Sequence, residues 1–403
     1  MASTLSTDYP RLLFATEYAP CSRGGGLVFV RQMLRGWPAD RIWWWSINPS
    51  LPQGEAQPVA GHFVAPLPRR LYPAHRFARP RAWLMENLWT PVAAAHLRRA
   101  IRACRPDVVW TIPQQWSIPP LAKALVGGDV PYRVSMHDFA DLRNVVERLG
   151  PEVAQRLAHG AEALYAGAHS RDAISTPMLA ELESRTGAAG WVNRVGIESV
   201  DLEYLARRQP QPLKELRLVF AGTIIAKQAF EFFVRALAGV RSRLPLPVWL
   251  EFFGTHSQRD QPWFDPTWMR ERLNAPDEMF RAALRECTWG IAPVSLAEED
   301  PRYDRFSFPA KVTSYLAAGL PVLALGHPAS SLVELLQRAD VGMCSTRSDL
   351  AGLQADLLET LTAEDPWGRY QVGIRRCVRE EFDAVTMRDR LHAELFRAAG
   401  RKG

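Results

Sequence analysis

Only five of the 49 Lys and Arg residues are lysine, at positions 123, 214, 227, 311 and 402. In so arginine-rich a chain a lysine is an unusual choice, and a compact ammonium suits a diphosphate pocket. Two of the five stand where the chain enters a helical pattern. Lys227 follows Gly222 and Thr223 in LRLVFAGTIIAKQ, where an apolar run ends in glycine. Lys311 follows Ser307 and Pro309 in RFSFPAKVTSYLAAG, and Ser330 and Ser331 open the next helical stretch. A cation at such a place neutralises a phosphate arriving above the strand ends. In the first half of the chain, Gly24, Gly25 and Gly26 lead from TEYAPCSR into LVFVRQML. Glycines there let backbone N–H groups approach an anion, and a tight turn without a ligand would use them equally well. The spacing is not GxGxxG and no K-[ST] follows, so neither a dinucleotide fingerprint nor a P-loop is present. His137 ends the apolar run YRVSMH, where it serves either as a site residue or as a capped structural side chain.

These residues need a scaffold, and apolar runs alternating with longer amphipathic stretches supply one: an α/β fold with helix-flanked parallel sheets. Strands are expected at 11–16, 41–47, 107–112 and 132–137. A second series follows at 216–221, 248–253, 289–293 and 321–324, with helices near 230–243, 277–286 and 311–318. The stretch RRQPQP at 207–212 breaks both periods and reads as a linker. The expected domains are 1–208 and 209–380, each Rossmann-like and doubly wound, facing a cleft. The segment 381–403 carries a last helix, 384–398, that returns to the first domain. Ligands of such sheets sit at the carboxyl ends of the strands.

Composition narrows the class. With 403 residues, 47% hydrophobic and 23% charged, the chain fills sizeable cores and is not disordered. Five scattered cysteines lack the close pairs of a zinc or redox site, which fits a reducing cytoplasm. The start MASTLSTDYP has no signal-peptide character, and glycines and prolines divide the uncharged stretch 312–333, so no transmembrane helix is expected. Net charge is +6, yet residues 61–105 hold nine arginines against Glu86 alone, a local excess of eight. With Phe77, Trp83, Leu84, Leu88 and Trp89 interleaved, that segment suits an anionic surface, either lipid headgroups or a phosphate-bearing substrate. A solvated arginine face is the plain alternative. No nucleic-acid-binding motif accompanies the charge. Trp43, Trp44 and Trp45 share one strand and are expected in the core.

Three stretches, TEYAP with RGGG, FAGTIIAKQ, and SFPAK through SYLAAGLPVLA, make the chain resemble the retaining glycosyltransferases of the GT-B fold, family 4 type. The resemblance implies transfer of a sugar from a nucleotide-diphosphate sugar, a co-substrate rather than a cofactor, to a glycan or lipid-linked acceptor. It implies a hexosyltransferase-like enzyme of polysaccharide biosynthesis, with the nucleotide in the second domain and the acceptor in the first. Lys227 and Lys311 match donor-diphosphate lysines, and His137 matches an active-site histidine beside the donor sugar. Gly25, Gly26, Gly222, Thr223, Ser307, Ser314, Ser330 and Ser331 complete the donor side, while Glu17 and Arg23 border the glycine loop on the acceptor side. Two positions depart from the family: Thr223 stands where many members have an arginine, and Ser314 where the family has the acid that holds the donor ribose. Glu298, Glu299 or Asp304 could supply that carboxylate.

A departing diphosphate needs its charge compensated, by a metal on Asp-x-Asp or by lysines and helix N-termini. The sequence contains no Asp-x-Asp, so metal-independent transfer is expected. By the resemblance, retention comes from attack on the face the phosphate leaves, with that phosphate taking the acceptor's proton. The two departures also motivate two other readings. One is a degenerate GT-B protein that binds nucleotide or glycan without turnover; the other is a GT-B epimerase or hydrolase of nucleotide sugars.

Overall fold

The computed structural model describes residues 9–20, 25–48, 57–68, 70, 77–141, 143–208, 213–296 and 302–400. The chain divides into two compact units, 1–194 with 386–403, and 195–385. The helix Ser199–Arg207 therefore belongs to the second unit, and the expected linker at 207–212 follows the start of that unit rather than preceding it. Arg285 and Arg208 hold it there: Arg285 donates to Asp201 at 3.2 Å, and Arg208, just past the helix, donates to the Ala318 carbonyl.

The first unit contains β1 (Leu12–Thr16), β2 (Ile42–Ser46), β3 (Gly61–Val64), β4 (Val108–Ile112), β5 (Tyr132–Met136), β6 (Ser170–Ala173) and β7 (Trp191–Val192). They form one parallel sheet in the order β3-β2-β1-β4-β5-β6-β7. Every residue of β1, β4 and β5 is buried, which is why these strands read as continuous apolar runs rather than alternating ones. The second unit contains β8 (Leu216–Ala221), β9 (Val248–Gly254), β10 (Met269–Leu273), β11 (Trp289–Pro293), β12 (Val322–Leu325) and β13 (Gly342–Ser345), in the order β10-β9-β8-β11-β12-β13. Both sheets reverse direction of strand order once, between β1 and β4 and between β8 and β11. Those switch points open a crevice at the carboxyl ends.

Trp44 and Trp45 are fully buried, as expected, whereas Trp43 is only half-buried with the Arg11 guanidinium over its ring. The stretch 312–333 forms a helix, β12 and the start of another helix. No helix among the described residues is long and apolar enough to cross a membrane.

β5 also buries an arginine. Arg133 is fully enclosed and donates to Asp172 at 2.6 Å, to Ser135 at 2.9 Å and to Glu394 at 3.1 Å. Glu394 lies on the last helix, Ala384–Ala398, which from Thr386 onward is part of the first unit. That helix is further held by a 2.8 Å hydrogen bond between His392 Nε2 and the Met33 carbonyl.

Residues 78–104 are helical throughout, with a π-helical turn at Met85–Trp89 between Ala78–Leu84 and Thr90–Cys104. Trp89 stands four residues from both the buried Met85 and the buried Ala93 and so lies on the same buried side, its Nε1 donating to the Pro66 carbonyl at 3.1 Å, while Leu84 is half-buried. This corrects the expectation that both are outward-facing, while Trp83 and Leu88 are exposed as anticipated.

Candidate functional site

In the second unit the chain leaves β8 at Gly222, whose φ of 87° is left-handed and favours glycine. The Gly222 N–H donates to the Phe253 carbonyl at 2.7 Å, and Thr223–Ala226 then lead to the helix Lys227–Val240. Across the switch point, the registered pairs of β8 with β11 are Leu218–Trp289 and Val219–Gly290. Beyond them the Tyr315 hydroxyl takes over, accepting from Ala221 N at 2.8 Å and donating to the Ile291 carbonyl at 3.3 Å. Gly290 is what admits that ring, since a Cβ there would lie 2.2 Å from it.

Two cavities flank the Gly222 loop. One, of ≈ 90 Å³, lies over β8 and β11 and is lined by Phe220, Thr223, Asp304, Ser307, Phe308 and Lys311. The other, of ≈ 300 Å³, is lined by Gly222, Thr223, Lys227, Glu231, His256 and Trp263 among others. Thr223, Ile224 and Phe230 line both. Lys311 lines the first cavity and Lys227 the second, so both lysines adjoin the same loop.

Lys311 is half-buried, with Nζ 3.6 Å from the Phe220 ring centroid and 3.5 Å from the Thr223 carbonyl. Burial pushes its ammonium down to about 7. Neither Lys311 nor Lys227 pairs with a carboxylate among the described residues, so both charges remain available to a ligand. Asp304 lines the smaller cavity, accepts from Ser295 N at 2.7 Å, and is held above the usual carboxylate range by burial. The Ser307 hydroxyl in the same wall is buried without a partner.

The other serines sit differently. Ser314 lines neither cavity. Ser330 is buried as the N-cap of the helix Ser331–Ala339, its hydroxyl accepting from Val333 N at 3.2 Å. Ser331 donates to the Ser307 carbonyl. Both hydroxyls are committed to the protein's own backbone. Glu298 and Glu299 lie outside the described residues.

In the first unit, Glu17 follows β1 and His137 follows β5, at the carboxyl ends of strands separated only by β4. Glu17 is 7% and His137 6% exposed, and Glu17 Oε2 and His137 Nε2 have no hydrogen-bond partner. Desolvation pushes Glu17 up to about 7, with the Arg148 guanidinium opposing the shift, and pushes His137 down to about 4. The helix Gly25–Met33 starts beside His137: a Cβ on Gly26 would be 3.8 Å from its Nδ1, and the Phe29 ring meets the imidazole edge-on at 4.8 Å. Arg23 lies outside the described residues. Glu17 and His137 thus each keep a buried polar atom without a partner, which can meet a hydroxyl group of a ligand.

No family model matches the chain, and no curated protein matches it in sequence. Solved structures match it in fold. Sucrose-phosphate synthase of Thermosynechococcus elongatus shares 14% identity over 96% of this chain and 100% of its own, with a TM-score of 0.66. The UDP-forming α,α-trehalose-phosphate synthase of Burkholderia xenovorans shares 12%, over 97% of this chain and 99% of its own, with a TM-score of 0.65. This chain has the GT-B fold. HepE of Anabaena, solved with UDP and glucose, adds a third GT-B neighbour at 13% identity, 96% and 100% coverage and a TM-score of 0.62. At such identity the likeness concerns the fold and transfers no residue role.

Within the GT-B fold, the sequence reading missed Phe220, Tyr315 and Arg148. Phe220 and Tyr315 look like ordinary core aromatics, and nothing in their local spacing marks a cation platform or a strand-end clasp. Arg148, on the helix Arg143–Leu149, donates to Gln115 Oε1 at 2.8 Å and has no motif around it.

Proposed function

We propose that the protein is a glycosyltransferase that moves a sugar from a nucleotide-diphosphate sugar to a glycan or lipid-linked acceptor, with retention and without a metal ion. The observation that carries the reading is Lys311, a half-buried ammonium without a carboxylate partner, set against Phe220 and the Thr223 carbonyl at the β8–β11 switch point. A ligand diphosphate supplies the anion that this site lacks. Two GT-B neighbours support the reading: HepE has been solved with UDP-glucose, a nucleotide-sugar donor, and a trehalose-phosphate synthase with glucose-6-phosphate, a sugar of the acceptor kind.

In this reading Lys311 and Lys227 hold the diphosphate from the two cavities at the Gly222 loop, and Asp304, lining the Lys311 cavity, takes ribose hydroxyls in place of the acid that Ser314 does not provide. His137 and the start of the helix at Gly25 and Gly26 face the donor sugar, and Glu17 the acceptor. The acceptor oxygen attacks the anomeric carbon on the face from which the diphosphate leaves. The carbon–phosphate-oxygen bond breaks, and the departing phosphate oxygen takes the hydroxyl proton. No Asp-x-Asp is present in the sequence, and charge compensation falls to the lysines. The basic segment 61–105 favours an acceptor presented at the anionic inner face of a membrane.

A thermal-shift panel of nucleotides and nucleotide sugars identifies the donor, because ligand binding raises apparent stability. Nucleotide release only when a glycan or lipid acceptor is added supports the transferase. Binding without release supports a degenerate binding protein, and release without any acceptor supports a hydrolase or epimerase.

A further inference from the structure

Four of the exposed large apolar side chains among the described residues fall within 77–92: Phe77 (66% exposed), Trp83 (57%), Leu88 (56%) and Val92 (67%). The buried residues of the helical segment, Ala82, Met85, Trp89, Ala93, Leu97, Ala100 and Cys104, run along it as one continuous stripe. The opposite stripe holds Trp83, Leu88 and Val92, and then Arg99 and Arg102, all exposed; Arg98 beside them is exposed too but donates to the Lys123 carbonyl. One outward face is therefore apolar in its first half and cationic in its second. Ala82, Met85, Trp89 and Ala93 follow the three-and-four-residue spacing of one helix face, which leaves Leu88 on the outward side.

The acid of the segment does not counter this field. Glu86 is engaged by Arg156, whose Nε lies 3.0 and 3.1 Å from its two oxygens. Arg79 and Arg105, also exposed, extend the positive charge at either end.

We propose that the outward face of 77–102 docks on an anionic lipid bilayer, with Trp83, Leu88 and Val92 entering the interface and Arg99 and Arg102 lying on the headgroups. Charge complementarity selects this occupant. A second copy of the chain would bring arginine against arginine, and a neutral apolar partner would leave the arginine half uncompensated. Indole and aliphatic groups are what the boundary between headgroup and acyl chain accepts, and guanidinium groups beside them are attracted by anionic lipid. The inference deepens the transferase reading, on which it rests for the purpose of docking, by naming the surface that brings the enzyme to its acceptor. Vesicle binding needs neither donor nor turnover, so its failure is distinguishable from failure of that reading.

The test is co-sedimentation of the full-length protein with phosphatidylglycerol-containing vesicles and with pure phosphatidylcholine vesicles, at low salt and at about 0.5 M salt. The expected result is binding to the anionic vesicles that weakens at high salt. It should fall by at least about tenfold in Trp83→Ser/Leu88→Ser and again in Arg99→Gln/Arg102→Gln. Both variants alter exposed side chains, so their melting temperatures and nucleotide-induced shifts should match the parent. Negligible binding to both vesicle types overturns the proposal. So does anionic-vesicle binding that both variants retain in full, or a concentration-dependent dimer that Trp83→Ser/Leu88→Ser abolishes.

Discussion

The ammonium of Lys311 lies 3.6 Å from the centre of the Phe220 ring, so an aromatic face and the Thr223 carbonyl hold a cation that no carboxylate among the described residues neutralises. The arrangement makes proton occupancy part of ligand binding. Burial lowers this group to about 7, and a bound diphosphate would raise it again. Above that value the free protein must take up a proton to bind. Affinity for a nucleotide sugar, whose diphosphate does not titrate in this range, is therefore expected to be constant below pH 7 and to weaken as pH rises to 9. Calorimetry in two buffers of different ionisation enthalpy should detect the proton uptake, and Lys311→Ala should remove it.

Removing either lysine should also cost affinity directly. A charge-assisted contact to phosphate contributes about 1.5–3 kcal/mol, so Lys227→Ala and Lys311→Ala are each expected to weaken donor binding by roughly 10- to 150-fold. Lys311→Arg should restore little, because the planar guanidinium does not fit the space over Phe220 that a compact ammonium fills. Titrations of the three variants with the donor found in the thermal-shift panel check this. Turnover should persist in EDTA; loss that a divalent ion restores would replace the metal-free mechanism.

Much of this was legible in the chain and some was not, for identifiable reasons. The strands β1, β4, β5, β8 and β11 announce themselves as short apolar runs, and the helices Asp277–Glu286 and Ala384–Ala398 as amphipathic stretches between breakers. Lys227 and Lys311 stood out against a background of arginine. By contrast, β7, with two residues, is too short to read as a run, and β10, whose sequence MRERL is mostly charged, gave no apolar signal. The burial of Arg133 is equally unreadable locally, because its partners Asp172 and Glu394 come from distant parts of the chain. The π-helical turn at Met85–Trp89 is unreadable too, because no local residue pattern marks it.

That buried arginine gives a stability prediction. Asp172→Ala leaves Arg133 charged and enclosed with only the Glu394 carboxylate, at 3.1 Å, to balance it, and Asn193 Nδ2 also loses its 2.9 Å acceptor. Breaking a buried pair on one side costs about 3–5 kcal/mol, whereas replacing both partners by apolar residues of similar volume costs far less. Urea unfolding of Asp172→Ala and of Arg133→Met/Asp172→Leu should separate the two cases.

Gly290 tests the strand-end clasp. A methyl group there would meet the Tyr315 ring at 2.2 Å, so Gly290→Ala must displace the ring and with it the hydroxyl that joins Ala221 to Ile291. Overpacking of this kind costs about 1–3 kcal/mol. Donor affinity should fall as well, since Phe220 and Lys311 adjoin the displaced strand end. Adding Tyr315→Phe to Gly290→Ala should not recover affinity, because the clasp is then lost by chemistry rather than by position.

Glu17 gives the last prediction, and its sign follows from linkage. Its carboxyl is held near 7 when folded, well above the ordinary value of 4.5, because burial disfavours the charge more than Arg148 favours it. Between those values the folded protein holds a proton that the unfolded chain has released, so this group's contribution to stability is full below pH 4.5 and is lost as pH rises to 7. His137 acts oppositely: held near 4 against an ordinary 6.5, it adds stability as pH rises from 4 to 6.5. The two slopes cancel in part, which hides both in the parent protein. Glu17→Gln keeps the shape and removes the titration. Its melting temperature should therefore exceed that of the parent at pH 8, match it near pH 4.5, and show the His137 rise unopposed between pH 4 and 6.5. If Glu17 also receives an acceptor hydroxyl, the same variant should raise the acceptor KM while leaving nucleotide affinity unchanged, a split that a purely structural carboxyl would not produce.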